Sequence, residues 1–159
     1  MNKPAQRLIG LNLARSLSLT SLSSSPIAQA QTPSTTCSTT LKAIQTKLKE
    51  KPNLEIVSVT QQDIGDLYPD RPRDRPDWYV FALRGRQANT ILNSAQFMNT
   101  LATQLIRNCP NVSLVTFGVA NSGNTVLWGL MPNGTVQPFE CLEPRRDMSR
   151  PAWGKTICV

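Results

Sequence analysis

The sequence contains no histidine and few aromatic or charged residues. Histidine is absent from all 159 residues, aromatic residues make up 6% of the chain, and charged residues make up 17%. Without histidine the commonest general base and the commonest zinc ligand are missing, so Ser-His and Cys-His nucleophiles and histidine-ligated zinc sites are excluded. No run of about 20 apolar residues occurs, so we expect no membrane span.

Several motifs that carry chemistry are absent as well. The chain has no C-x-x-C pair, no phosphate-binding glycine loop, no G-x-S-x-G turn and no calcium-loop pattern. The sequence therefore predicts no catalytic residue, no metal site and no cofactor. These absences weigh against an enzyme without excluding one.

The first thirty residues differ in composition from the rest of the chain. Lys3 and Arg7 form a basic start, a leucine-rich stretch runs from residue 8 to residue 22, and Ala28-Gln29-Ala30 matches a small-residue cleavage site. This order predicts a secretory signal peptide over residues 1–30, and hence a periplasmic or extracellular protein. An amphipathic first helix or a serine-rich tail is the alternative, because polar residues interrupt the apolar stretch.

The positive charge of the chain is partly a property of this leader. The net charge is +7, and it falls to +4 when Lys3, Arg7 and Arg15 are removed. Binding to a nucleic-acid backbone depends on net positive charge that displaces counterions. The remaining bias is mild, so we expect no nucleic-acid partner.

Hydrophobic periodicity predicts an α+β domain over residues 37–141. Apolar residues at helical spacing predict helices, and runs rich in β-branched residues predict strands. The helices span residues 36–50 and 94–108, and the strands span residues 54–60, 78–84, 112–120, 125–131 and 135–141. The order αββαβββ, with Asn-containing and Gly-containing turns between the last strands, favours a mostly antiparallel sheet with two helices on one face. Residues 31–36 form a polar N-terminal tail, and residues 142–159 form a C-terminal tail.

The four cysteines all follow the predicted cleavage site. An even number of cysteines after a signal peptide predicts two disulfides. Cys37 begins the first predicted helix and Cys109 ends the second, so antiparallel helices would bring these two cysteines together. Cys141 ends the last predicted strand, and a bond to Cys158 would hold the C-terminal tail against the domain.

The predicted strands have apolar residues on both faces, although the helices cover only one. Runs such as residues 79–83 and 126–128 alternate less cleanly than a half-exposed antiparallel sheet should. The second face therefore needs a cover: the loop 61–77, the C-terminal tail with Trp153, or a second copy of the chain. Of these we favour the tail. Gly129, inside a strand, indicates a bulge or the close approach of another segment.

Two basic segments are candidates for partner binding. Arg71, Arg73 and Arg75 alternate with aspartates and prolines, which is typical of a solvated loop with local ion pairs or of a recognition loop. Arg145 and Arg146 lie with Arg150 and Lys155 in the C-terminal tail and could attract an anionic partner or only solubilise the tail.

The three tryptophans are expected to play different roles. Trp153 is the best candidate for an exposed aromatic platform that binds sugar, whereas Trp78 and Trp128 lie in apolar strands and are expected in the core. The expected partner is an unidentified protein or an anionic glycan. The protein itself is expected to be a monomer or a homodimer.

Three functional hypotheses follow from the sequence. The first is an exported, non-catalytic binding module. The second is a carboxylate-dependent hydrolase of cell-wall or extracellular glycan that uses residues such as Asp63, Asp66, Asp70 and Glu140. The third is a structural protein of the cell envelope. Two buried carboxyl groups with raised pKa values in a cleft would favour the hydrolase, and projecting arginines would favour binding.

Several segments resemble small exported proteins of cyanobacteria. These segments are residues 78–83, 91–94, 97–98, 108–109 and 115–118. The resemblance extends over roughly residues 37–141 and implies a periplasmic or outer-surface setting. It brings no assigned function and transfers no site residue.

Overall fold

The predicted helices and strands form an α+β domain, to which the structure adds a short helix before the second predicted one and a short strand in the C-terminal tail. The computed structural model describes residues 35–144 and 150–158, so the predicted signal peptide and residues 31–34 lie outside the described residues. The helices are α1 (Thr35–Lys49), α2 (Ala88–Leu92) and α3 (Ala95–Asn108). The strands are β1 (Glu55–Asp63), β2 (Asp77–Arg84), β3 (Val112–Val119), β4 (Thr125–Leu130), β5 (Val136–Pro138), β6 (Glu140–Leu142) and β7 (Lys155–Ile157).

The main sheet has five strands that follow one another in sequence order, β1-β2-β3-β4-β5. Three of its four pairings are antiparallel, and only β2 and β3 run parallel. The chain crosses from β2 to β3 through α2 and α3, because parallel neighbours need a crossover connection. The prediction of a mostly antiparallel α+β sheet is confirmed.

The helices pack on one face of this sheet and enclose the main hydrophobic core. Ile44 and Leu48 of α1 and Leu101 and Leu105 of α3 have no exposed surface. They meet alternate residues of the strands, including Phe81 and Phe117, whose rings stack at 5.0 Å. Each buried side chain of this size contributes about 1.5–3 kcal/mol to the free energy of folding.

Both disulfides have the predicted pairing. Cys37 and Cys109 join the start of α1 to the end of α3 with a Cα–Cα distance of 4.7 Å. Further contacts, from Lys47 to Gln104 and from Lys51 to Phe97, run in opposite directions along the two helices, which are therefore antiparallel. Cys141 and Cys158 join β6 to the residue that follows β7, with a Cα–Cα distance of 5.6 Å.

The segment predicted as one strand over residues 135–141 is divided between two sheets. Phe139 still donates its N–H to Leu127 of β4, but Glu140 donates to Gly154 in the C-terminal tail. From there β6 pairs in parallel with β7, which the sequence analysis did not predict. Pro138 lacks an N–H group, so the ladder with β4 weakens where the chain leaves it.

Candidate functional site

The second face of the sheet is covered by two segments that are far apart in the sequence. Ile64 and Tyr68, from the connection between β1 and β2, are 3% and 2% exposed. They pack with Leu114, Phe139 and the indole of Trp153 in a second hydrophobic cluster. The cover is thus the loop and the tail together, within one chain, whereas the sequence favoured the tail.

Aromatic rings form the centre of this second cluster. Tyr68, Phe139 and Trp153 meet pairwise in edge-to-face contacts with centroid distances between 5.1 and 5.5 Å. The indole N–H of Trp153 donates to the Leu130 carbonyl at 2.9 Å. In edge-to-face contacts the positive edge of one ring meets the negative face of another, and the indole N–H also has a hydrogen-bond acceptor. Trp153 is half-buried with its ring engaged inside the protein, so it does not present a free platform of the kind that the sequence suggested.

Gly129 makes this packing possible. A Cβ atom at residue 129 would lie 3.0 Å from Phe139 Cζ and 3.2 Å from Trp153 Cζ2, with another Phe139 ring atom closer still. The expected close approach of another segment at Gly129 is confirmed. The approaching segments are β5–β6 and the C-terminal tail.

Hydrogen bonds lock the loop and the tail to each other. The Tyr68 hydroxyl donates to the Lys155 carbonyl at 3.0 Å, and Arg150 Nη1 donates to the Asp66 carbonyl at 2.8 Å. Both carboxylate oxygens of Asp70 lie 3.0 Å from the Trp153 backbone N–H. A tyrosine phenol is protonated at neutral pH, and burial raises the pKa of Tyr68 further above its ordinary value, so the hydroxyl is a donor. We call the outer side of residues 64–76 and 150–158 the loop–tail surface.

The three arginines of the loop occupy three different environments. Arg75 Nη1 donates to the carbonyls of Ile106 and Val112, at 2.9 and 3.2 Å, and so ties the loop to the end of α3 and the start of β3. Arg71 is half-buried, and its Nε atom is enclosed without a hydrogen-bond partner among the described residues. Arg73 is exposed. Of these three, Arg73 is the one free to meet a partner.

The second predicted basic cluster is described only in part. Arg145 and Arg146 lie outside the described residues. Arg150 and Lys155 are exposed and belong to the loop–tail surface. Two apolar side chains accompany them, Leu67 with 43% and Ile157 with 39% of its surface exposed. Sequence reasoning missed these two, since nothing local distinguishes an exposed leucine from a buried one.

The carboxylates proposed for hydrolysis do not converge on one site. Asp70 binds the Trp153 backbone, and Glu140 forms an exposed ion pair of 3.8 Å with Lys155. Asp66 is exposed in the loop, and Asp63 ends β1, where its Oδ1 accepts the Gly65 N–H. Across the β1–β2 ladder, Asp63 is paired with Asp77, which the sequence analysis did not consider.

Asp77 belongs to a small polar network on the helix side of the sheet, and Asp63 lies opposite it in the strand register. Gln61 Nε2 donates to Asp77 Oδ2 at 2.9 Å, and the Tyr79 hydroxyl donates to Gln61 Oε1 at 2.8 Å. Burial, with a smaller contribution from the Asp63 charge, raises the pKa of Asp77 above 3.8, against the opposing effect of the Gln61 hydrogen bond. Burial also raises the pKa of Tyr79. Gln61, Asp77 and Tyr79 thus bind one another across the β1–β2 ladder, while Asp63 lies opposite Asp77.

Within residues 35–144 and 150–158, no three Cys, Asp or Glu side chains are arranged to hold a metal ion. None of the helices in the described part of the chain has both the length and the hydrophobicity that crossing a bilayer requires.

Fold and surface together define a small disulfide-bonded α+β domain with two hydrophobic clusters, one on each face of its sheet. No family model matches the chain, and neither the curated proteins nor the solved structures give a match.

Proposed function

We propose that the chain is an exported, non-catalytic binding module and that its loop–tail surface binds a protein partner. The observation that carries this proposal is the locked arrangement of the loop and the tail. It joins two segments that carry exposed apolar side chains, Leu67 and Ile157, together with the exposed arginines Arg73 and Arg150. Arginine and exposed apolar residues are typical of protein interfaces, and a pre-ordered surface loses less entropy on binding.

Charge distribution favours a protein over a polyanionic glycan. Asp66, Asp74 and Glu140 are exposed among the cations of this region. Anionic polysaccharide binds best to a patch of one sign, whereas a protein partner can match charges of both signs. A glycan is accordingly an outcome for the test to detect.

Export is supported by the cysteines. All four are joined in two disulfides, and such bonds persist in oxidising compartments. The leader pattern and the resemblance to small exported cyanobacterial proteins agree with this placement. Expression of the full chain in a cyanobacterium, followed by fractionation and N-terminal mass spectrometry, tests both. A periplasmic or external protein that begins at Gln31 supports export, and an intact cytoplasmic chain contradicts it.

The binding proposal is tested by site-specific crosslinking in the exporting host. A photoreactive amino acid at Leu67 or Arg73 should capture a discrete protein, and the same group at Lys49, on the exposed side of α1, should not. Arg73→Glu should reduce the crosslink at residue 67, whereas Lys49→Glu should leave it unchanged. Equal capture from both sides of the domain would contradict the proposal, and so would a crosslink that is indifferent to charge reversal at residue 73.

Glycan binding is measured separately on a heparin column. Elution of the wild-type protein at higher salt than Arg73→Ala/Arg150→Ala, together with no crosslinked protein, would assign the surface to a glycan instead. Elution of both proteins at the same low salt agrees with the protein-binding proposal.

A further inference from the structure

A cleft lies on the helix side of the sheet, where α1 ends and where α2 and α3 meet. Its volume is about 330 Å³, and it is lined by residues that follow α1, by α2 and by the first turn of α3. Ligand sites in proteins start at roughly 300 Å³, so this cleft has room for a small organic molecule. It is separate from the loop–tail surface, which lies on the other face of the sheet.

A single charge dominates the cleft. Lys51 extends over the ring of Phe97, with its Nζ atom 4.6 Å from the ring centroid. None of the lining residues is acidic, and no carboxylate among the described residues lies within ion-pair distance of Lys51. The cation–π contact orients the ammonium group but does not neutralise it. The cleft is therefore complementary to one negative charge.

The remaining lining residues divide into an apolar part and a polar rim. Ile91 is 7% exposed and, together with the Phe97 ring, supplies apolar contact area. Gln87, Thr90 and Ser94 supply an amide and two hydroxyl groups. Ser94 stands at the N-cap position of α3, yet its hydroxyl makes no capping hydrogen bond. A serine hydroxyl carries one O–H donor, and none of the hydrogen bonds described above uses that of Ser94.

We propose that this cleft binds a small monocarboxylate with an apolar body. The carboxylate pairs with the Lys51 ammonium and accepts a hydrogen bond from the rim, and the apolar body packs against Ile91 and Phe97. One carboxylate is fully paired by the Lys51 ammonium, whereas a phosphate dianion would be desolvated with a second charge left unpaired, and the ammonium repels cationic ligands. This site would act independently of the loop–tail surface.

The test uses octanoate as the probe and NMR spectroscopy of the oxidised protein as the readout. Titration should give saturable shifts for Lys51, Ile91 and Phe97, while octanol and octylamine, which have the same chain length, should bind at least roughly tenfold more weakly. Lys51→Met keeps the length of the side chain and its contact with Phe97 but removes the charge. It should weaken octanoate binding roughly tenfold or more. Lys49→Met, an exposed lysine outside the cleft, is the matched control and should leave binding unchanged.

A second variant keeps the test independent of how well Lys51→Met folds. Thr90→Phe, at an exposed residue of the rim, should fill the cleft and abolish the octanoate shifts without lowering the melting temperature. Shifts that do not saturate, or that spread over other parts of the domain, would overturn the proposal. Octanol binding as tightly as octanoate would overturn it too, as would octanoate binding that survives both Lys51→Met and Thr90→Phe.

Discussion

Arg71, Arg73 and Arg75 have nearly the same neighbours in the sequence but different surroundings in the folded domain. Each is followed or preceded by a proline or an aspartate, so local pattern alone treats them as one group. Arg75 bonds to carbonyls of α3 and β3, which are more than 30 residues away along the chain. Its role depends on tertiary contacts, so the sequence could identify the segment but not the residue within it that remains free.

Removal of the Arg75 guanidinium should destabilise the domain. Arg75→Met leaves the carbonyls of Ile106 and Val112 without this donor, and we expect a loss of about 1–3 kcal/mol in the free energy of unfolding. Urea denaturation of the oxidised protein measures it. Arg73→Met is the matched control, because Arg73 is exposed, and its effect should stay within about 0.5 kcal/mol. Equal effects of the two substitutions would contradict the assignment.

A methyl group at residue 129 should disturb the second hydrophobic cluster. Gly129→Ala places Cβ against the rings of Phe139 and Trp153, so overpacking should lower the free energy of unfolding by about 1–3 kcal/mol. The double variant Gly129→Ala/Phe139→Leu has room for that methyl group and should lose less than the sum of the two single losses. Strictly additive losses in denaturant titrations would show that the rings do not constrain residue 129.

The Asp77 carboxyl group should make the domain less stable at neutral pH than at acidic pH. Its pKa is higher in the folded chain than the ordinary 3.8, so its contribution favours folding below 3.8 and is lost as the pH rises through the folded-state value. Asp77→Asn removes the charge but can still accept the Gln61 hydrogen bond. We therefore expect this variant to be more stable than wild type at pH 7, with the gain shrinking near pH 3.

Urea denaturation at the two pH values measures this difference. Asp74→Asn, an exposed carboxyl in the neighbouring loop, serves as the control and should change stability by less than about 0.5 kcal/mol. A gain for Asp77→Asn of the same size at both pH values would refute the titration argument.

At the scale of elements, the helices and their disulfide were the most predictable part of the fold. Helical periodicity is a local property, and it located the ends of α1 and α3 closely enough to pair Cys37 with Cys109. Local periodicity did not predict how residues 135–141 are divided between two strands. The division into β5 and β6 depends on the tail residue Gly154, whose carbonyl accepts the Glu140 N–H. A pattern within residues 135–141 cannot predict a partner that lies elsewhere in the chain.

The two disulfides should differ in what they stabilise. They close segments with sequence separations of 72 and 17 residues, for which loop-closure entropy predicts stabilisation of about 4 and about 3 kcal/mol. Cys37→Ala/Cys109→Ala should therefore lower the global free energy of unfolding more than Cys141→Ser/Cys158→Ser does. The second variant should also speed amide hydrogen exchange at Glu140 and Cys158, which bond across β6 and the tail, while β3 stays protected.

Hydrogen exchange followed by mass spectrometry, combined with denaturant titrations, separates the two effects. If loss of Cys141–Cys158 deprotects β3 as strongly as the tail, the tail is not a separately stabilised element and this prediction is wrong.

At the scale of the whole molecule, the second face of the sheet determines whether the domain needs a partner to bury its apolar residues. The sequence indicated that this face needed a cover and left open the loop, the tail or a second copy. In the folded domain the loop and the tail both lie on it, and together they bury Tyr68, Leu114 and Phe139. The described chain thus covers this cluster with its own residues.

Removal of the tail should turn this face into an association surface. A chain that stops at Leu142 and carries Cys141→Ser loses Trp153 and exposes the Phe139 and Tyr68 rings. We expect its molar mass by light scattering to rise with protein concentration, and the mass of the complete domain to remain that of a monomer. A stable dimer of the complete domain, or a truncated chain that stays monomeric, would contradict this account.

The sequence by itself determined the two long helices, the first four strands, the pairing of the cysteines and the exclusion of histidine chemistry. These follow from residue types and from periodicities that extend over a single helix or strand. Only the tertiary structure decided that Arg73 is the exposed arginine of the loop and that Asp63 lies opposite Asp77. It also decided that hydrogen bonds join the loop to the tail, and that Lys51 is the charged residue lining the cleft. Each of these depends on contacts between separate elements, and such contacts arise from packing that no local pattern encodes.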